Sequence, residues 1–163
     1  EIGTTLHEVI QSYIDTGTAS IDTKYPEEVT MALKSFMLFR KEHPNITLKK
    51  SELALTSEKY KFNGTIDCIA EMDGAILIAD WKTSKCKDED MPKIYDEYKD
   101  QVAAYVYLYN EVNKTNVQNA IIVSIAKDKE SYNWYAMDRK EIDACFKNVF
   151  LPALKICNFR RKK

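Results

Sequence analysis

Two acids and one lysine, the residue types needed for metal-assisted hydrolysis, lie on either side of a predicted β-hairpin turn. Residues 73–74 are Asp-Gly, which is typical of a two-residue type I′ turn because both positions tolerate positive φ. Counting outward along the antiparallel pair places Asp67 opposite Asp80 and Thr65 opposite Lys82. Side chains alternate across a strand, so Asp80 and Lys82 share one face. The hairpin alone is therefore expected to bring two carboxylates and an ammonium group together.

Carboxylates that face each other across a ladder repel, so this arrangement requires a cation. Mg²⁺ fits, because it prefers oxygen ligands such as carboxylates, waters and phosphate, and Mn²⁺ should substitute for it. The backbone carbonyl of Trp81 is a further expected ligand, since its side chain points to the other face. Lys82 would orient the attacking water, lower its pKa or neutralise developing charge. The alternative is a structural ion pair between Asp67 and Lys82, with Asp80 reaching solvent.

The elements around the hairpin predict an α/β fold in the order αα-βββ-α-ββ-α. An antiparallel meander followed by a helical crossover to a later strand gives a mixed central β-sheet flanked by helices. Alternating apolar residues predict strands over 46–55, 60–72, 75–83, 120–126 and 132–137. Helical periodicity predicts helices over 3–15, 26–43, 92–112 and 139–159, the second begun by Pro26 and the last capped by Asp138.

Several motifs in one order give a more specific signal than the two acids and the lysine. Residues 64–67 are Gly-Thr-Ile-Asp, residues 80–83 are Asp-Trp-Lys-Thr, and residues 101–105 are Gln-Val-Ala-Ala-Tyr. Upstream lie a histidine-bearing helix over residues 3–8 and the acid Glu52. Over roughly residues 3–109 the chain resembles the RecB-like, phage-type exonuclease branch of the PD-(D/E)xK nuclease superfamily, in which isoleucine often replaces the proline before the first acid. The resemblance implies a restriction-endonuclease-like core.

The resemblance also implies a role for each motif residue. Gln101 and Tyr105 share one helical face, and His7 lies on the inner side of its helix, so the proposed positions agree with helical geometry. Three of the motif residues also have an interpretation without a functional role. His7 could be a core histidine, Tyr105 a packing residue of the helix, and Glu52 a solvent-facing acid. The implied set is Asp67, Asp80 and Lys82 as catalytic residues, His7, Asp67, Asp80, the Trp81 carbonyl and Glu52 as metal ligands, and Gln101, Tyr105 and Thr83 as substrate-binding or supporting residues.

Composition bounds the remaining possibilities. The 163 residues are expected to form a single nuclease domain over 1–163, and a net charge of -1 leaves nucleic-acid binding to local lysines and arginines. An iron–sulfur cluster, which the CRISPR-associated members of this branch carry on four cysteines, is not expected, because Cys68 lies within the catalytic strand. No apolar run or leader pattern suggests a membrane partner or secretion, so an intracellular, cytoplasmic or nuclear setting is expected.

The function expected from these features is Mg²⁺-dependent hydrolysis of DNA phosphodiester bonds. Exonuclease action in recombination, repair or viral or phage DNA processing is favoured by the branch that the chain resembles. The alternatives are an endonuclease of the same fold, a catalytically silent DNA-binding module, and an unrelated α/β binding protein with a surface ion pair. DNA is the expected partner, and the absence of an initial methionine leaves room for further domains or protein partners.

Overall fold

The helices and strands follow one another in the order that the sequence predicts. The computed structural model describes residues 1–19 and 24–162. The strands are β1 (Ile46–Ser57), β2 (Phe62–Met72), β3 (Ala75–Ser84), β4 (Asn119–Ala126) and β5 (Tyr132–Met137). The helices are α1 (Ile2–Thr16), α2 (Glu27–Glu42), α3 (Asp96–Asn113), α4 (Arg139–Cys145) and α5 (Leu151–Arg161), with a π-helical turn over Phe146–Phe150.

The five strands form one mixed sheet in the order β1-β2-β3-β4-β5. Neighbouring strands are antiparallel except β3 and β4, which run parallel from Leu77–Asn119 to Ser84–Ala126. α3 is the crossover that a parallel pair requires. Met72 pairs with Ala75, as the two-residue turn predicts. The predicted fold class, an α/β fold with a mixed sheet flanked by helices, is confirmed.

Each face of the sheet has its own hydrophobic core. α1 and α2 cover one face, where Trp81 packs edge-on against Phe36 with ring centroids 5.4 Å apart. α3 and α4 cover the other face, where Ile78 and Ile122 pack against Val102 and its neighbours. Because consecutive residues of a strand point to opposite faces, the burial of Trp81 under α2 turns Lys82 toward α3. No helix in the described parts of the chain is both long and apolar enough to cross a membrane.

The alternation of side chains changes phase in the middle of β2. Ile66 packs in the core under α3, whereas Cys68, two residues later, packs in the core under α1 and α2. Glu52, which lies between the paired residues Ser51 and Leu53 of the neighbouring strand, has a φ of 49°. Positive φ is uncommon for a residue other than glycine, and it redirects a side chain within a strand. Asp67 therefore lies where the strand changes face.

Two of the predicted helices differ clearly from those in the structure. α3 begins at Asp96 rather than at Pro92, because the amide of Asn133 donates a hydrogen bond to the Pro92 carbonyl at 3.1 Å and holds this segment outside the helix. The single predicted helix over 139–159 contains the π-helical turn and runs to Arg161. Asp138 caps it as predicted, by accepting a hydrogen bond from the Glu141 N–H.

Candidate active site

The candidate active site lies where β2 and β3 separate. The ladder between these strands ends at the pair Cys68–Ala79. Just beyond this pair, the Trp81 N–H donates to Oδ2 of Asp67 at 2.9 Å. The carboxylate thus takes the place of the missing backbone acceptor, and it stays in the plane of the sheet, where groups from both faces can reach it.

His7 approaches Asp67 from the α1 face. Its Nε2 lies 3.1 Å from the Trp81 carbonyl, and Nδ1 lies 3.4 Å from Asp67 Oδ1 and 3.7 Å from Glu52 Oε1. If Nε2 donates to the carbonyl, Nδ1 faces the two acids. The hydrogen bond to Asp67 raises the pKa of His7, and burial opposes that rise. A proton or a cation is therefore favoured between Nδ1 and the carboxylates.

Three of these groups satisfy the spacing of a metal site. The ligand atoms of His7, Glu52 and Asp67 all lie within 4.8 Å of one another. Burial and the charge of Asp67 raise the pKa of Glu52, so the acids repel when no cation is bound. One helix and two strands bring these two carboxylates and one imidazole together. Such a set of ligands suits a divalent ion.

Asp80 and Lys82 adjoin this cluster on the α3 side. Lys82 Nζ lies 3.1 Å from Oδ2 of Asp80, which is 2% exposed. No described residue donates a well-directed hydrogen bond to that oxygen. Burial, and then the charge of Asp67, raise the pKa of Asp80 to about 8. The alternative in which Lys82 pairs with Asp67 while Asp80 reaches solvent is wrong, since Lys82 pairs with Asp80 and Asp80 is buried.

The pKa values of Asp67 and Asp80 shift in opposite directions. Burial raises the pKa of Asp67, but the hydrogen bond and charge of His7 lower it more, so the net shift is downward. In the absence of a cation, one proton is therefore held at Asp80 while Asp67 stays ionised. A buried oxygen without a well-directed hydrogen bond and a retained proton are what a carboxyl pair shows when a cation would compensate it.

α3 completes the site by fixing the lysine. Lys82 Nζ donates a hydrogen bond to Oε1 of Gln101, whose Nε2 donates to the Tyr105 hydroxyl at 2.8 Å. The Tyr98 ring lies with its centroid 5.3 Å from Nζ. Sequence reasoning missed Tyr98, although its position three residues before Gln101 places it on the same helical face. Burial, and then the charge of Asp80, raise the pKa of Tyr105 to about 12, so its hydroxyl stays protonated.

Thr83 lies apart from the acids, in an open groove beside them. The groove has a volume of about 600 Å³, and its lining includes Thr4, Gln11, Glu52, Lys82 and Thr83. Oγ1 of Thr83 would lie 3.3 Å from a Cβ added at Gly3, so α1 passes close to β3 here. The structure therefore places Thr83 on the wall of a groove whose lining also includes His7 and Glu52.

The predicted site residues meet in one region, drawn from three strands and two helices. His7, Glu52 and Asp67 form the cluster, Asp80 and Lys82 adjoin it, and the Trp81 carbonyl lies within hydrogen-bonding distance of His7. Neither predicted opposition, Asp67 with Asp80 or Thr65 with Lys82, belongs to the β2–β3 ladder, which ends at Cys68–Ala79, although the two carboxyls lie close enough to shift each other's pKa. The catalytic and ligand roles stay predictions.

Comparison with known proteins gives one family match and two relatives. The model of the PD-(D/E)XK nuclease superfamily matches residues 6–150. Mitochondrial genome maintenance exonuclease 1 of Xenopus tropicalis is 32% identical over 124 residues, which are 72% of this chain and 33% of that protein. The Mus musculus protein of the same name is 33% identical over 93 residues, 55% of this chain and 27% of that protein. The chain thus spans about a third or less of these relatives.

A solved structure also aligns with most of the chain. It is titled "Crystal structure of SSO0001", and the alignment has a TM-score of 0.39 and 17% sequence identity. It covers 92% of this chain and 70% of that one.

Proposed function

Because the chain belongs to the PD-(D/E)XK nuclease superfamily, we propose that it hydrolyses DNA phosphodiester bonds with a bound divalent cation and removes nucleotides from DNA ends. The observation that carries the proposal is the meeting of His7, Glu52, Asp67, Asp80 and Lys82 at one half-buried point beside an open groove. The relatives' name, a genome maintenance exonuclease, supports DNA as the substrate, an end-directed mode and an intracellular setting.

The residues that would hold the cation are His7, Glu52 and Asp67, with Asp80 and the Trp81 carbonyl beside them. We propose Mg²⁺, with Mn²⁺ as a substitute, because carboxylate oxygens outnumber nitrogens in this donor set. When bound, the cation supplies Lewis acidity toward the phosphodiester and acidifies a coordinated water. The Trp81 carbonyl accepts from His7 and so orients the imidazole, which is the usual role of a partner behind a metal-binding histidine.

Lys82 stabilises the charge that develops in the reaction without help from the cation. Its ammonium group is fixed by Asp80 on one side and by Gln101 on the other, so it needs little reorganisation when negative charge develops at phosphorus. The same group can donate a hydrogen bond to the attacking water. Asp80 keeps the ammonium next to the carboxylate cluster, and Gln101 and Tyr105 keep it from rotating away. We therefore assign Lys82 the catalytic role and Gln101 and Tyr105 supporting roles.

Residues 1–163 are proposed to act as a single nuclease domain. Both helical layers pack on the same sheet, and the site draws on each of them through His7 and Gln101. Further domains or partners of the longer relatives would then act on substrate choice rather than supply the reacting groups.

The proposal is tested by incubating the purified chain with end-labelled linear DNA and with closed circular DNA. Mg²⁺ or Mn²⁺ is expected to support loss of the linear substrate, and EDTA to prevent it. Lys82→Ala is expected to be inactive. Lys61→Ala is the matched control, because Lys61 is exposed and pairs with Glu58 at the β1–β2 turn. It is expected to cleave as the wild type does.

Each other outcome points to a different function. Nicking of the closed circle would identify an endonuclease of the same fold. Binding of DNA without cleavage at any metal concentration would identify a silent DNA-binding module, against which the intact set of Asp67, Asp80 and Lys82 argues. Cleavage that persists in EDTA, or in Lys82→Ala, would contradict the proposed chemistry.

A further inference from the structure

The segment that connects β3 to α3 carries an exposed aromatic side chain close to the candidate active site. Residues 85–95 leave the end of β3 just after Lys82 and return to begin α3. Tyr95, the last residue before the helix, is 46% exposed. A large ring left in solvent beside a proposed catalytic lysine is a candidate for contact with substrate.

Hydrogen bonds from the β4–β5 hairpin fix this segment. The Asp128 carboxylate accepts from the Cys86 and Lys87 N–H groups, at 2.9 Å each. Further along, Ser131 Oγ donates to the Asp90 carbonyl at 2.7 Å, and Asn133 holds the Pro92 carbonyl. The exposure of Tyr95 is therefore built into the fold and is not that of a loosely held loop tip.

A second tyrosine links Tyr95 to the catalytic lysine. The Tyr95 and Tyr98 rings meet edge to face, with centroids 5.3 Å apart and planes at 86°. The Tyr98 ring in turn lies 5.3 Å from Lys82 Nζ. Tyr95 is thus separated from the Lys82 ammonium group by these two distances. One or two nucleotides are long enough to span them. Tyr98 thus supports both the exposed ring and the lysine.

We propose that Tyr95 is a stacking platform for a nucleobase next to the phosphate that Lys82 contacts. The proposal rests on the proposed function and names a position for its substrate. Aromatic rings bind bases of any type, because every base has a π-face. The first turn of α3 carries Asp96 and Glu97, which repel a phosphate backbone and leave the neutral base as the favoured occupant.

Steady-state cleavage of a short DNA tests the platform. Tyr95→Ala is expected to raise KM about ten-fold with kcat little changed, since a stacked base contributes to binding. Tyr95→Phe keeps the ring and should restore the wild-type KM. Tyr109→Ala is the matched control, because Tyr109 lies on the same helix but lines a cavity with Ala75 and Ile76 at the hairpin end of the sheet. It should leave KM unchanged.

A series of DNAs with one abasic position locates the base. For the wild type, one position near the cleaved bond should raise KM as Tyr95→Ala does, and for Tyr95→Ala that same position should have no further effect. An unchanged KM in Tyr95→Ala, or an abasic effect that persists fully in it, would overturn the proposal.

A binding measurement separates this proposal from the proposed function. 2-Aminopurine at the identified position, or at each position in turn, should lose fluorescence when it stacks on the wild-type protein in Ca²⁺, read before any cleavage, and should keep it with Tyr95→Ala. If the wild type does not cleave DNA, the proposed function fails, and the quenching still decides the platform. Equal quenching by wild type and Tyr95→Ala, or none by the wild type, would overturn it.

Discussion

Burial of the Asp80 carboxyl carries an unfavourable free energy in the folded protein. Asp80 is 2% exposed, lies against a second carboxylate, and has an oxygen to which no described residue donates a well-directed hydrogen bond. Lys82 offsets part of this cost from 3.1 Å. A structural ion pair would not need a second acid beside it, whereas a cation site does. The residues themselves therefore favour a site kept for chemistry over one kept for stability.

Truncation of each partner should separate chemistry from metal binding. Lys82→Ala is expected to lower kcat by at least about 10²- to 10³-fold, which leaves no detectable cleavage of the end-labelled DNA, while metal affinity stays mostly unchanged, because it removes charge stabilisation and no ligand. Asp80→Ala should lower both kcat and metal affinity. Titration calorimetry with Mn²⁺ and single-turnover cleavage measure the two quantities. An equal loss of folded protein in both variants would favour the structural ion pair instead.

The backbone of Glu52 offers a separate test of its role. Its φ of 49° costs a residue with a Cβ about 1 kcal/mol or more, and asparagine tolerates this conformation best after glycine. Glu52→Asn should therefore keep or raise the melting temperature and weaken Mn²⁺ binding, because an uncharged amide replaces a carboxylate. Glu52→Ala should also weaken Mn²⁺ binding but should not raise the melting temperature through the backbone, because alanine has the same Cβ as glutamate. If Mn²⁺ affinity is the same in wild type and Glu52→Asn, Glu52 is not a ligand.

At the scale of elements, the sequence predicts the β2–β3 hairpin well near its turn and poorly near Asp67, where the two strands separate. The Asp-Gly turn and the alternation of residues after it are local signals, and they place Asp80, Trp81 and Lys82 on the faces where the structure has them. The change of face in β2 at Asp67 lies beside Glu52 of the neighbouring strand, whose positive φ cannot be predicted from a glutamate in the sequence. The late start of α3 depends on Asn133, from the far hairpin, and is equally invisible in the local pattern.

Gly64 allows α3 to pack closely on β2. This packing holds Gln101 and Tyr105 next to Lys82. A Cβ added at Gly64 would lie 2.9 Å from Tyr105 Cε1 and 3.0 Å from Leu108 Cδ2. Gly64→Ala should therefore push α3 outward, lower the free energy of unfolding by about 1–3 kcal/mol and reduce kcat through Gln101 and Tyr105. Urea unfolding and cleavage rates measure the two effects.

Gly3→Ala is the comparison, since its added Cβ would meet only the Thr83 hydroxyl, at 3.3 Å, and alanine favours the helix. It should be nearly neutral for stability. A Gly64→Ala protein that is as stable and as active as Gly3→Ala would mean that α3 adjusts without moving the lysine, and that the Gln101–Tyr105 pair does not position it.

For the whole molecule, the site couples folding to pH. The folded-state pKa of Asp80, about 8, lies above the ordinary aspartate value of 3.8, so the folded protein holds a proton that the unfolded chain releases as pH rises. The raised pKa of His7 has the same sign, and its stabilisation is present at low pH and lost as pH rises. Asp67 acts oppositely, but its lowered pKa matters only in acid, below the range of the other two. Without a cation, stability should fall from acid toward alkaline pH.

Thermal unfolding between pH 5 and pH 9 measures this coupling. In EDTA, the free energy of unfolding should fall with a slope of at most about 1.4 kcal/mol per pH unit for each proton released. Mg²⁺ should flatten the fall, because a cation that binds only the folded state stabilises it and competes with protons for the carboxylates. Asp80→Asn should also flatten it in EDTA, since the amide does not titrate, yet it should gain less from Mg²⁺. If the wild type and Asp80→Asn have the same pH profile in EDTA, Asp80 does not hold the proton between pH 5 and pH 9.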